Sequence, residues 1–362
     1  MTRYDKVRAR QLLDLTATMV DIASVSFEEA AFADWIETEL RSIAGLEVTR
    51  VGDNVVARTM LDRPYRLALG GHLDTVPVND NATARIEGTV LHGLGSCDMK
   101  GGLAVMLDLA RSIPEPAIDV TYVFYAREEV AIVHNGLREL FEEVPHLLQA
   151  DMALLGEPTD AVLEAGCQGT MRARVTLRGE RAHTARPWMG RNAIHRLGLL
   201  LDSLENIEPR RPVIDRCEYR EAVQAVFVEG GVAGNVVPDE ATVTINHRFA
   251  PDRTPEEADA FLRSVVEPFL DDGDSFEVTD CSPAARSELS NPLMAAFIGR
   301  NDLLVRAKLG WTDVAFFSEQ GIPAANFGPG DATLAHTQHE HLDERPLLMT
   351  SMALENLLRT GV

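Results

Sequence analysis

The stretch Leu69-Gly70-Gly71-His72-Leu73-Asp74-Thr75-Val76-Pro77 reads as an apolar strand that ends in paired glycines and delivers a His-x-Asp pair. Residues two apart in extended backbone point to the same side, so His72 and Asp74 form one unit. The imidazole turns one ring nitrogen to a metal, and the carboxylate holds the other. A carboxylate in that position fixes the tautomer of a ligating histidine and raises its basicity. The plainer alternative is a buried strand-end histidine satisfied by its neighbour, and residues further along the chain decide between the two.

The same pattern recurs downstream. Residues 119 to 125 read as a strand that ends in Ala126-Arg127-Glu128-Glu129. Neighbours in extended chain face opposite ways, so one of these glutamates can bind metal while the other faces substrate. Met152-Ala153-Leu154-Leu155 reads as a buried strand ending in Gly156-Glu157-Pro158-Thr159. Open α/β sheets bind ligands at the carboxyl ends of their strands, so carboxylates recurring there outweigh any one of them. The loop Gly93-Leu94-Gly95-Ser96-Cys97-Asp98-Met99-Lys100-Gly101-Gly102 lacks the spacings of phosphate-binding loops, and Asp98 repels an anion. It suits a cation.

A chain of 362 residues is too long for one ordinary core, which makes two domains the working reading. A formal net charge of −22 excludes nucleic acid, which needs basic surface. Cys97, Cys167, Cys217 and Cys281 form no Cys-x-x-Cys pair, so neither a disulfide framework nor a thiolate metal site is expected. The N-terminal Met-Thr-Arg-Tyr-Asp-Lys-Val-Arg is charged and no apolar run is long enough for a membrane span, so the expectation is a cytoplasmic protein with no membrane partner.

Ser26 with Glu29 reads as a capping box that opens a helix, and Thr254-Pro255 with Glu257 as another. From about residue 171 the order becomes β-α-β-β-α-β, the split βαβ plait, closing near 282. The expected division is therefore a first domain over 1–170, an insertion over 171–282, and the first domain resuming over 283–362.

His72, Asp98, Glu129, Glu157 and His336 are imidazole and carboxylate groups at loop or strand ends, the donor set of an open, catalytic zinc site. Their scattered spacing does not by itself apportion them between ions. The ensemble GGHLDTVP at 70–77, GLGSCDMKGG at 93–102, Glu128-Glu129, GEPT at 156–159, RAHTARPWMGRNAIH at 181–195, GNVVPDEATVTINHRFAP at 234–251 and FGPGDATLAHTQHE at 327–340 resembles the co-catalytic zinc amidohydrolases of the aminoacylase, carboxypeptidase and desuccinylase family. EAGCQG at 164–169 and GWTDVA at 310–315 are most similar to its desuccinylase branch.

The resemblance implies an α/β fold of two domains: a zinc-peptidase-like α/β/α catalytic domain with an inserted ferredoxin-like α+β dimerisation domain, hence a homodimer. It implies two zinc ions per subunit, with cobalt as the alternative. His72 and Glu157 would hold one, Glu129 and His336 the other, and Asp98 would bridge, followed by a cis peptide. Asp74 would orient His72, Glu128 would be the general base, and His183 would reach the partner's site to stabilise the oxyanion. Asn235, Arg248 and Thr312 would bind the carboxylates of an N-acyl amino acid. One departure stands out: desuccinylases usually carry an arginine shortly after the Thr-Asp pair, and here Thr312-Asp313 is followed by Val314-Ala315-Phe316-Phe317. His339 and His341 stand close enough to His336 in sequence to compete as ligands. Another deacylase or dipeptidase, or a silent relative serving as a binding module, remain the competing readings.

Overall fold

The apolar runs that precede the candidate site residues lie side by side as parallel strands. Arg66–His72 pairs with Asp119–Tyr125 on one flank, His72 opposite Tyr125, and with Met152–Leu155 on the other, Gly70 opposite Leu155. Every residue of the two flanking strands is buried, which is why each reads as a nearly unbroken apolar run. These strands come from a computed structural model that describes residues 3–362; Met1 and Thr2, where the N-terminal reading begins, lie outside the described residues. Among the described residues no helix is long and apolar enough to cross a membrane.

The chain visits one flank of Arg66–His72 and then the other, so strand order reverses at this strand. A ligand crevice opens at such a reversal, beyond the carboxyl ends of the strands. The two crossovers run in opposite directions through Gly101–Ser112 and Gly136–Glu143, and the right-handed rule for such connections assigns these helices to opposite faces of the sheet. The full sheet has eight strands: a hairpin of Leu46–Val51 and Asn54–Thr59 at one edge, then the three strands above, then Ala324–Asn326, Leu163–Ala165 and Val305–Ala307.

Two compact units divide the chain. One runs to Gly166 and resumes over Ser287–Arg306 and Asp313–Val362; the other comprises Cys167–Arg286 and Ala307–Thr312. The short excursion at 307–312 belongs with the second unit through backbone and ring contacts, Gln168 N to the Lys308 carbonyl at 3.2 Å and Trp311 Nε1 to the Pro283 carbonyl at 3.0 Å.

The second unit is an antiparallel sheet ordered Ala222–Gly230, Glu240–Phe249, Gly169–Arg178 and Ser275–Ser282, the ferredoxin-like plait. Helices Ala193–Glu205 and Pro255–Val266 bury Leu197, Leu200, Leu204, Ala258, Leu262 and Val266 against it. The box at Thr254 forms in full, with the Thr254 hydroxyl on Glu257 N and the Glu257 carboxylate on Thr254 N.

The box read at Ser26 does not form. The helix there is Ala30–Arg41, and its cap, Glu29, makes no capping hydrogen bond. The Ser26 hydroxyl instead donates to Asp74 Oδ2 at 2.7 Å. The fit to that carboxylate outcompetes the local cap.

On the inward face of Glu240–Phe249, His247 follows Ala241, Val243 and Ile245 into the core and is fully buried. Burial pulls its imidazole down from the ordinary 6.5 to about 4. Between those pH values the unfolded chain binds a proton that the folded one refuses. This share of stability is therefore complete above 6.5 and is lost as pH falls toward 4, by about 3 kcal/mol in all. His247→Phe should flatten that part of the unfolding free energy against pH, checked by urea titrations from pH 7 to pH 4; parallel profiles for the two proteins would refute it.

Candidate metal centre

Asp74 organises the site more broadly than its spacing from His72 suggests. Its Oδ1 accepts from Glu128 N at 2.9 Å, and its Oδ2 from Glu129 N at 3.0 Å and from Ser26 Oγ. His72 Nδ1 lies 3.5 Å from Asp74 Oδ1 and 3.0 Å from the Asp74 carbonyl oxygen. One residue thus sets both: where the carboxylate was expected to hold the imidazole, the Asp74 carbonyl oxygen takes the ring hydrogen bond, and the carboxylate takes the backbone of the double glutamate. Burial pushes the Asp74 carboxyl up, but the bonds from His72, Glu128 N and Ser26 outweigh it and hold it below the usual range.

Asp98 faces both histidines, its Oδ1 3.1 Å from His72 Nε2 and its Oδ2 3.5 Å from His336 Nε2. The peptide between Asp98 and Met99 is cis. Glu340 holds this loop: its carboxylate, 2% exposed, accepts from Gly95 N, Cys97 N and Asp98 N at 2.9–3.0 Å. Glu129 Oε1 meets His336 Nε2 at 2.8 Å, and Glu157 is buried beyond its strand end. The floor is built from bare backbone, because a Cβ at Gly102 or at Gly328 would collide with the Gly156 carbonyl oxygen.

Among the described residues, two groups can each close on a single ion: His72, Asp98 and Glu157, and Asp98, Glu129 and His336, the ligand atoms of each lying within 4.8 Å of one another. Asp98 belongs to both. His72, Glu128 and Glu129 make a third such group. His339 and His341 join none of them; the His341 ring packs 5.4 Å from that of His92.

Electrostatics fit a cation. Burial opposes protonation of His72, yet Asp74 and Asp98 hold it well above its ordinary 6.5, and Asp98 with Glu129 lifts His336 to about 10. For Asp98, the hydrogen bonds of His336 and His72 overcome burial and lower it. Both imidazoles thus answer the charge of the surrounding carboxylates. A divalent ion would supply that counter-charge and leave the imidazoles neutral as ligands.

Glu128 behaves differently. Burial, and then the charge of Asp313, drive its carboxyl well above the usual range, with His72 opposing. Asp313 is itself raised to about 6 by burial, against hydrogen bonds from Asn135. Asn135 gives its Nδ2 to both Asp313 oxygens at 3.0 and 2.9 Å, while its Oδ1 caps Gly136–Glu143 through Leu137 N and Arg138 N.

The other candidates lie in the second unit. His183 is exposed, bridges to Val236, and accepts from Ala185 N at 3.0 Å on Nδ1. Thr184 N donates to the Asn235 carbonyl at 3.0 Å, so His183 and Asn235 are neighbours. Arg248, half-buried, stands opposite Ala222 and Thr170 in the sheet, and Thr312 accepts from Cys167 Sγ on its carbonyl at 3.7 Å. Where an arginine would follow Thr312-Asp313, the helix Val314–Glu319 buries Val314, Ala315, Phe316 and Phe317. The sequence placed Ser26 at a helix cap rather than in the site, and gave no role to Asn135, Asp313 or Glu340. The last two fall inside quoted motifs, and their burial as acids marks them.

The chain has close relatives in sequence. The profile of Peptidase family M20/M25/M40 matches residues 68–360. A Mycobacterium tuberculosis protein assigned as the succinyl-diaminopimelate desuccinylase DapE is 49% identical over 348 residues, 96% of each chain. The succinyl-diaminopimelate desuccinylase of Corynebacterium glutamicum is 43% identical over 334 residues, 90% of each. The fold is shared with the Bacillus subtilis YXEP protein, described as a dinuclear metal-binding peptidase, at a TM-score of 0.71 and 16% identity over 98% of both chains. With the profile spanning both units and these relatives covering nearly its whole length, the chain belongs to peptidase family M20/M25/M40.

Proposed function

We propose that this chain hydrolyses N-succinyl-LL-2,6-diaminopimelate to succinate and LL-2,6-diaminopimelate, a step of lysine biosynthesis, as a cytoplasmic homodimer. The observation that carries the reading is Asp98 shared between two ligand groups, each completed by one histidine and one glutamate. The 43% identity to a named desuccinylase supports the substrate. Zinc, or cobalt in its place, suits the imidazole and carboxylate donors. His72 and Glu157 would hold one ion, Glu129 and His336 the second, and Asp98 would serve both.

The chemistry that such a pair would supply is a water of lowered pKa and a polarised scissile carbonyl. Glu128 takes the proton of the attacking water and returns it to the leaving amine. Asp74 keeps Glu128 in place through the Glu128 backbone N–H. His183 donates to the developing oxyanion across the dimer, and Asn235, Arg248 and Thr312 receive the substrate carboxylates. The missing arginine after Asp313 favours a second reading, a deacylase of another N-acyl amino acid. An acetylornithine deacetylase of Myxococcus xanthus is 27% identical over 360 residues.

The dimer rests on an edge. Ala222–Gly230 is the outermost strand of its sheet, and Val226, Phe227 and Val228 are exposed on it, Phe227 by 71%. An uncovered apolar edge strand is a pairing surface.

The zinc-loaded protein should hydrolyse N-succinyl-LL-diaminopimelate in preference to N-acetylornithine and a dipeptide panel, and lose that activity to a chelator. Preference for another amide would move the substrate and keep the chemistry; no metal-dependent hydrolysis of any would overturn the reading. Glu128→Ala should keep its metal content and fold while kcat falls by about 10²–10⁴, and near-normal turnover would remove Glu128 from its role. Phe227→Lys should sediment as a monomer at concentrations where the wild type is a dimer, and an unchanged dimer would move the interface elsewhere.

A further inference from the structure

A pocket of about 420 Å³ opens within the second unit alone, walled by Leu204, Ile207 and Phe261, with His247 among its lining residues. Its size is that of a small-molecule site, and its lining joins these apolar side chains to charged ones, Glu205, Glu208, Arg210, Glu221 and Arg253. The histidine is out of pattern, since an imidazole occupies a position that alternation along the strand reserves for apolar side chains. Its ring lies 5.1 Å from that of Phe261, and neither ring nitrogen has a hydrogen-bond partner in the protein. Buried polar groups are rarely left so. Neutral at ordinary pH, the ring offers one donor and one acceptor.

Two guanidiniums stand beside it. Arg253 lies 4.4 Å over the Phe261 ring with Nη1 3.2 Å from Glu221 Oε2, and Arg210 is held by Glu221 and Asp252 at 2.6 Å. Arg210 Nε, buried, makes no hydrogen bond within the protein, and Arg253 Nη1 has only its ion pair with Glu221. The buried polar groups of the pocket therefore have donors to spare. Its remaining acids, Glu205 and Glu208, are exposed.

We propose that this pocket binds a free α-amino acid with an apolar side chain. The carboxylate turns inward to His247, Arg253 and Arg210, the ammonium turns outward to Glu205 and Glu208, and the side chain packs on Leu204, Ile207 and Phe261. A plain carboxylic acid leaves the acidic groups unmatched, and a plain amine leaves the buried donors unmatched.

The probes are L-leucine and L-phenylalanine, with 4-methylpentanoate lacking the ammonium and leucinamide lacking the carboxylate. Binding to the full chain is followed by calorimetry and by the ring resonances of isotopically labelled histidine, so the result does not depend on hydrolysis. At least one amino acid should saturate and shift the His247 resonance. Both analogues should bind about tenfold more weakly or worse, and His247→Phe and Arg253→Met should each weaken the amino acid by a similar factor. Should His247→Phe fail to fold, Arg253→Met decides alone. The proposal is overturned if neither amino acid saturates, if Arg253→Met binds as tightly as the wild type, or if either analogue binds as well as leucine.

Discussion

One carboxylate holds the catalytic unit's site together. Asp74 accepts two backbone N–H groups from Glu128 and Glu129 and a hydroxyl from Ser26, while standing beside His72. Three stretches far apart in sequence thereby meet at one anion. Glu340 does the same for the Asp98 loop with three further N–H groups. Buried acids are tolerable where such donors surround them, and with these two fixed, the remaining carboxylates can be packed close enough to demand a cation. Asp98, Glu129 and Glu157 are ligand candidates because Asp74 and Glu340 are not.

Much of this was legible beforehand, and the reason is local. His72 ends an apolar strand, and Glu128, Glu129 and Glu157 each follow one by a few residues, so a one-dimensional pattern carried their common location. The plait of the second unit was legible because its strands alternate and its Thr254 cap is made within four residues. Long-range partnerships were not. Ser26 looked like a helix cap, since the sequence displays a nearby Glu29 and hides an Asp74 forty-eight positions away. Asn135 and Asp313 are separated by 178 positions, and neither spacing nor composition announces that one amide holds both carboxylate oxygens. His247 also escaped: one polar residue in an alternating strand passes for noise until its neighbours are known.

The two units hold their polar interiors by different means. The first surrounds its acids with backbone N–H groups and imidazoles, leaving little slack for a side chain to move. The second buries an imidazole among aromatic rings, with the Glu221 and Asp252 carboxylates pairing Arg210 close by. A low-dielectric interior makes each arrangement costly if half-satisfied.

The position of Ala324–Asn326 has a consequence for biosynthesis. This strand lies between Met152–Leu155 and Leu163–Ala165, pairing with both, although about half the chain separates it from them. The large sheet therefore has a gap in its middle until residue 326 leaves the ribosome. The inserted unit is nearly contiguous, from Cys167 to Arg286, and its sheet can close long before that. Domains generally fold as units as they emerge, so the insertion is made first. The strands ahead of it wait, half-paired and apolar, for a late arrival, and this is the interval in which the nascent chain most needs shielding from its neighbours.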